Sequence, residues 1–235
     1  METQKKVKAV ALMTAGRYEH TWCRNQIDYA FSECGIPMTV SGGVFYGQCM
    51  QNMLQAAIKS GAEYAITVDG DSVFTGAQVI QLLSVAVQES DTIDALCAMQ
   101  IRRGMTTMLG TITGQNSCTW NGYPVKLDTA HFGLTVINLA KLASTPKPWF
   151  FCQPNEDGEW GENRIDSDIW FWCQWQKAGN SVYIDPSIKI GHVEEVVAIH
   201  DDNHKHSHVY PADWTKFCAD QAAKAVEAIP AGSVS

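Results

Sequence analysis

Tyr64-Ala65-Ile66-Thr67-Val68-Asp69-Gly70-Asp71 decides how this chain is read. Five residues suited to a buried strand run straight into two carboxylates separated by one glycine. Interior strands favour apolar and β-branched side chains, so charge arriving abruptly at the carboxyl end needs a reason. In open α/β sheets that end of a strand is where ligands bind. Alternate residues of extended backbone share a face, so Asp69 and Asp71 can point into one site. Gly70 between them lets the backbone come close to a ligand. Two such carboxylates can hold a divalent cation, and the cation can hold a diphosphate. The competing reading is a plain turn, because Asp-Gly is common between strands and helices.

The surrounding pattern favours the site. Residues 7–13 read as a strand that turns at Thr14-Ala15-Gly16-Arg17. Residues 21–33 carry Trp22, Ile27, Ala30 and Phe31 at helical spacing, and Gly35 is placed to end that helix. Residues 36–40 read as a second strand. Residues 47–59 read as a helix with Met50, Leu54, Ala57 and Ile58 on one side, closed by Gly61. Thr75 with Gln78 three residues on has capping-box spacing at the start of another helix, and residues 93–101 form a fourth strand. This alternation predicts an α/β fold with a mostly parallel mixed sheet flanked by helices.

The later chain is less regular. Strands are expected at 106–113, 123–127, 131–138, 182–184 and 188–190, with helices at 167–177 and about 213–228. No repeat or linker divides the chain. The expectation is one domain over 1–235, with a nucleotide-binding half to about residue 105 and an acceptor half with a C-terminal helix after it.

Bulk properties narrow the classes. The 235 residues carry 17 basic and 25 acidic side chains, for a net charge of −8. That opposes a broad basic nucleic-acid surface, but not a nucleotide ligand whose counter-charge is a metal. The hydrophobic fraction of 46% suits a chain with a sizeable core. Eight cysteines, at 23, 34, 49, 97, 118, 152, 173 and 218, form no C-x-x-C pair, as expected of reduced, mostly buried thiols in a cytoplasmic protein. No apolar run reaches the roughly 18 residues that span a bilayer.

Other candidate residues follow. Asp166-Ser167-Asp168 precedes the apolar run Ile169-Trp170-Phe171-Trp172. One polar residue there is expected to cap the helix, and a carboxylate fixed at its head can act as a general base, Asp168 ahead of Asp166. His192, after Ile188-Lys189-Ile190-Gly191, becomes a plausible third ligand beside a carboxylate pair, because imidazole suits manganese better than calcium. Arg102-Arg103 with Lys126 forms the concentrated positive charge of mid-chain, suited to a phosphate. Trp149, Phe150, Phe151 and Trp160 flank the loop 153–163, where Trp160, beside Gly158 and Gly161, is the best acceptor-side aromatic. His200-Asp201-Asp202-Asn203-His204-Lys205-His206-Ser207-His208 reads as a solvated loop ahead of a zinc site.

Taken in order, these landmarks resemble the GT-A fold glycosyltransferases, in the broad family-2-like group of bacteria and phages. The resemblance covers about residues 6–194. It rests on Thr14-Ala15-Gly16-Arg17, Asp69-Gly70-Asp71 as the D-x-D segment, and His131-Phe132-Gly133-Leu134-Thr135-Val136-Ile137 as the small-residue strand behind the donor sugar. Pro148-Trp149-Phe150, Ser167-Asp168 in place of the family's Glu-Asp, and Ile190-Gly191-His192 complete it.

The resemblance implies a transferase using a nucleotide-sugar donor, UDP-sugar first, with Mn²⁺ or Mg²⁺. Asp71 would be the direct metal ligand, Asp69 would contact ribose or metal, and His192 would complete the metal shell. Thr14, Arg17, Tyr18 and Asn52 would lie near the nucleotide. Asp168, with Asp166 as the alternative, would be the base of an inverting transfer. One acceptor to test is a hydroxymethylated pyrimidine in phage DNA, with Arg102 and Arg103 near its phosphates. A phage-encoded protein of this kind would work in the host cytoplasm. Rival readings are a nucleotidyltransferase acting on a sugar phosphate, which usually has a Gly-rich phosphate loop that 14–20 lacks, and a non-catalytic carbohydrate- or nucleic-acid-binding module.

Overall fold

The computed structural model describes residues 7–16, 18–102, 110–111, 123–200 and 205–227. Arg17, Arg103, Cys118 and most of the expected strand 106–113 lie outside them. The described chain forms two compact units, Met1–Val193 and Glu194–Ser235.

In the first unit the strands are β1 (Ala9–Ala15), β2 (Met38–Gly42), β3 (Tyr64–Val68), β4 (Ser72–Val73), β5 (Ala95–Met99), β6 (Gly110–Thr111), β7 (Val125–Leu127), β8 (Thr129–Ala130), β9 (Leu134–Asn138), β10 (Val182–Lys189) and β11 (Gly191–His192). The helices are α1 (Thr21–Cys34), α2 (Tyr46–Lys59), α3 (Gly76–Gln88), α4 (Leu139–Ser144) and α5 (Ser167–Lys177). Seven strands form one mixed sheet in the order β2-β1-β3-β9-β5-β10-β7. β2 and β3 run parallel to β1, and β10 parallel to β5. β9 is antiparallel to both β3 and β5, so those two point the same way, while β7 is antiparallel to β10. The carboxyl ends of β1, β3, β5 and β10 therefore share one edge of the sheet.

Period-two alternation distributes the strand residues between two cores. Leu12, Ala65, Cys97 and Ile137 face the α2, α4 and α5 side, with Trp149, Phe171, Trp172 and Trp175. Met13, Ile66, Val68, Leu96, Ala98, Leu134 and Val136 face the other side, with Ile27, Phe31, Val79 and Leu82 of α1 and α3. A sheet buried on both faces explains why β3 reads as an unbroken apolar run. The buried tryptophans keep their indole N–H groups satisfied: Trp149 donates to the Thr145 carbonyl at 2.9 Å, Trp172 to Ala130 at 2.6 Å and Trp175 to Ser181 at 2.9 Å.

Local chemistry sets the boundaries. Gly35 ends α1 at φ 62°, the left-handed conformation. Thr75 and Gln78 form both bonds of a capping box on α3. Four expectations need correction. Trp22 is 59% exposed, and the buried stripe of α1 runs through Cys23, Ile27, Ala30 and Phe31. The two strands expected at 182–184 and 188–190 are one strand, irregular between Asp185 and Lys189. α4 was not anticipated, because six residues give too little periodicity. Among the seven described cysteines, all free thiols, only Cys23, Cys49 and Cys97 are buried.

The second unit contains β12 (Val197–His200), β13 (His206–Val209) and α6 (Trp214–Glu227). β12 and β13 pair antiparallel, so the histidine-rich stretch expected as a loop contributes strand backbone on both sides of residues 201–204, which are not described. Among the described residues no helix is long and apolar enough to cross a membrane.

Candidate functional site

The shared edge of the sheet gathers the candidates. β3 ends at Val68, and Asp69-Gly70-Asp71 turns there, with the Ser72 N–H donating to the Asp69 carbonyl at 3.1 Å. β4 then pairs with β11, Ser72 opposite His192 and Val73 opposite Gly191. The Val193 N–H donates to the Asp71 carbonyl at 2.8 Å. Residues about 120 positions apart in sequence are thus laced side by side, and the Asp71 Oδ2 lies 3.4 Å from His192 Nε2.

The other imidazole nitrogen explains the orientation. His192 Nδ1 is 2.9 Å from the Ile101 carbonyl oxygen. A carbonyl only accepts, so Nδ1 carries a hydrogen, and the ring turns its Nε2 toward Asp71. A carboxylate oxygen and an imidazole nitrogen facing each other at this distance can share a proton or bind one cation. A metal-binding histidine characteristically donates its other N–H to a carbonyl or carboxylate in this way. Cis ligands of a small divalent cation at ~2.1 Å stand ~3 Å apart, close to the observed separation. The donor set of carboxylate and imidazole suits Mn²⁺ or Mg²⁺, manganese more than magnesium. No group of three or more His, Cys, Asp or Glu side chains placed to hold a metal occurs among the described residues. The described residues offer the Asp71–His192 pair.

Gly70 turns its missing side chain toward the neighbouring strand: a Cβ there would lie 3.1 Å from Met13 Cε. Close strand packing is thus one reason for glycine at this position.

Asp168 lies at the head of α5, half-buried, with its Oδ1 accepting the Ile169 N–H at 2.8 Å. Burial raises its pKa, partly offset by backbone N–H donors, while nearby Asp166 adds to the rise and Arg164 opposes it. A carboxylate that holds its proton more tightly is a better base once ionised. Asp166 is exposed and accepts from Arg164 Nε at 2.9 Å; although it is the N-cap residue of α5, its side chain makes no cap bond.

Sequence reading missed Tyr46, the first residue of α2. Its ring packs edge-on against Phe132 and Phe150, with centroids 6.3 and 6.0 Å away. Burial pushes its phenol pKa well up, and the charges of Asp69 and Asp168 push it further. One hydroxyl thus senses both the carboxylate at the end of β3 and the one at the head of α5. The close approach of α2 to the Phe150 segment depends on Gly47, where a Cβ would meet Phe150 Cβ at 2.7 Å, while Ser167 Cβ at the head of α5 would stand at an ordinary 3.7 Å. A signal existed: Tyr46-Gly47 starts a helix just after a strand, at the ligand-binding edge.

The remaining candidates lie on separate elements. Thr14 is half-buried near the end of β1, and Tyr18 is 96% exposed. Asn52 is exposed on α2, more than a turn from Tyr46, while its neighbour Gln51 accepts the Trp149 N–H at 3.0 Å. Arg102 is exposed and follows the Ile101 carbonyl that holds His192. Trp160 is 62% exposed on the loop closed by reciprocal bonds between Gln153 and Ile165, 2.9 Å each. Trp149 and Phe150 belong to the core.

No protein-family model matches the chain, and no curated protein sequence does. Solved structures do. A197 from STIV superposes with a TM-score of 0.58 at 12% identity, over 86% of this chain and 94% of that one. GalNAc-T7, solved with UDP, GalNAc and Mn²⁺, superposes with a TM-score of 0.50 at 9% identity, over 82% of this chain but only 45% of that one. Identities this low establish a shared fold: the mixed seven-stranded sheet with parallel pairs and flanking helices is of the Rossmann-like GT-A type.

Proposed function

We propose that this protein is a metal-dependent glycosyltransferase that moves a sugar from a nucleoside-diphosphate donor, UDP-sugar first, to an acceptor hydroxyl. The observation that carries the reading is the Asp71–His192 pair, 3.4 Å apart at the carboxyl edge of the sheet, with the imidazole turned by Ile101. GalNAc-T7, solved with UDP and Mn²⁺, gives the fold a precedent for such ligands. Asp71 and His192 would hold Mn²⁺ or Mg²⁺, with Asp69 toward the metal or the donor ribose. The bound cation supplies Lewis-acid stabilisation of charge developing on the leaving nucleoside diphosphate.

The chain's own residues account for the rest. Asp168 accepts the proton of the acceptor hydroxyl as that oxygen attacks the anomeric carbon, the in-line course of an inverting transfer. What supports Asp168 over Asp166 is its partial burial and raised pKa, against an exposed carboxylate already paired with Arg164. Tyr46, partly buried and within electrostatic reach of Asp69 and Asp168, keeps its proton and can donate a hydrogen bond at the seam of the two substrates. Holding two substrates in register supplies much of the remaining rate. Trp160 and Arg102, both exposed, are the acceptor-side contacts in this reading.

The test begins with binding. Asp71→Ala abolishes Mn²⁺-dependent binding of a UDP-sugar, measured by calorimetry, and a wild-type chain that binds no UDP-sugar with any divalent cation overturns the proposal. The acceptor is then sought with a panel that includes hydroxymethylcytosine DNA, digested to nucleosides for mass spectrometry. Arg102 supports a phosphate-bearing acceptor, whereas the net charge of −8 opposes one. An unchanged nucleoside profile across all donors removes DNA as the acceptor.

A further inference from the structure

Gln100 is a charge-free polar side chain that the reaction does not use, yet it is only 1% exposed. A buried amide is retained where its hydrogen bonds do something specific, since burying it unpaired is costly. Its Nε2 donates to Ser72 Oγ at 3.0 Å and to the Gly191 carbonyl at 3.1 Å. Ser72 follows Asp71, and Gly191 precedes His192. One amide nitrogen therefore grips the neighbour of each member of the candidate metal pair.

The surroundings are shaped around that grip. A Cβ on Gly133 would collide with Gln100 Oε1 and lie 2.8 Å from Ser72 Oγ and 2.9 Å from His131 Nδ1, so only glycine fits. His131, 6% exposed, holds the Gly133 backbone: its Nδ1 accepts the Gly133 N–H at 3.0 Å while its Nε2 donates to the Ala98 carbonyl at 2.7 Å. Burial lowers the His131 pKa to about 4 and keeps the ring neutral, as this pattern of one donor and one acceptor requires. Ile101, next in sequence to Gln100, receives the His192 Nδ1 hydrogen. Two consecutive residues past the end of β5 thus fix β11 by its backbone and by its imidazole.

We infer that Gln100 is the positioning residue of the metal pair: it locks the register of β4 against β11, so that Asp71 and His192 face each other at one cation. β4 and β11 are two residues each. So short a ladder has few bonds with which to set its own register, and the buried amide supplies the missing constraint. This inference rests on the metal reading given above, and partners that orient metal ligands in this way are typically worth about 10- to 100-fold in metal affinity.

The experiment measures Mn²⁺ affinity of the full chain by electron paramagnetic resonance of the free ion, alone and with UDP. Alongside it, the thermal midpoint is recorded without metal. Gln100→Met, which keeps the volume and removes the donor, weakens Mn²⁺ binding at least about 10-fold. Ser72→Ala, a smaller change, weakens it in the same direction and serves if Gln100→Met does not fold. In a His192→Ala background Gln100→Met brings no further loss, a non-additivity that a general destabilisation does not produce. Wild-type chain that binds no Mn²⁺ in either condition overturns the metal reading and this inference with it. Wild-type binding that both variants retain in full, or losses that add to that of His192→Ala, overturns the positioning role and leaves the metal reading standing.

Discussion

Single side chains carry the sharpest consequences. Folding raises the Asp168 pKa, so the stability linked to this group is fully present below the ordinary carboxylate pKa and is lost as pH rises through the folded value. At neutral pH its ionisation costs stability. Asp168→Asn removes that cost and keeps an oxygen for the Ile169 N–H. Its thermal midpoint therefore exceeds wild type at pH 7, and the difference closes toward pH 3, while UDP-sugar binding persists and transfer is lost. Full transfer by this variant would sink the role of Asp168 as base. His131 has the opposite sign. Its pKa falls from 6.5 to about 4, so its contribution is complete above 6.5 and disappears as pH falls through 4. The loss is about 3 kcal/mol across that window. Denaturant titrations of metal-free protein at pH 7 and pH 4 check this, with His131→Asn losing visibly less than wild type.

At the scale of elements, the site depends on how closely helices and strand ends meet. Gly47→Ala drives a Cβ against the Phe150 Cβ, a stem atom that cannot swing aside. Pushing α2 away from the Phe150 segment costs about 1–3 kcal/mol and displaces Tyr46, the residue before Gly47. Transfer rate falls more than UDP-sugar affinity, which steady-state kinetics beside calorimetry will separate; equal falls in both would assign Gly47 to stability alone. These elements differed in how plainly the sequence announced them. β3 and α5 lie where their residues put them, because one is an unbroken buried run and the other is bounded by a polar head and a lysine. Asp69, Asp71 and Asp168 stood out because charge interrupts apolar sequence. Gln100 presents the same interruption at the end of β5, but without charge and beside the more conspicuous Arg102-Arg103 it drew no notice. Tyr46 was hidden because an aromatic residue among aromatics reads as core. The facing of Asp71 and His192 was illegible for another reason: it is set by a two-residue ladder between distant segments, which leaves no periodic trace.

For the whole molecule, burial is unevenly shared. The first unit holds both hydrophobic clusters, whereas no side chain described between residues 194 and 220 is buried. Local opening is governed by buried apolar contacts, so native-state hydrogen exchange is expected to be faster in β12 and β13 than in β3 and β9; equal protection would show that the second unit gains stability from something other than its own core. The position of β9 has a different kind of consequence. It runs between β3 and β5, yet it arrives in the chain after both of them. Until residues 134–138 emerge from the ribosome, the two strands that flank the gap have nothing to pair with on their inner sides. This part of the sheet therefore cannot close during synthesis in the order in which it is made. An amino-terminal fragment that stops short of residue 134 would leave one edge of β3 and both edges of β5 bare, the condition that invites pairing with other chains.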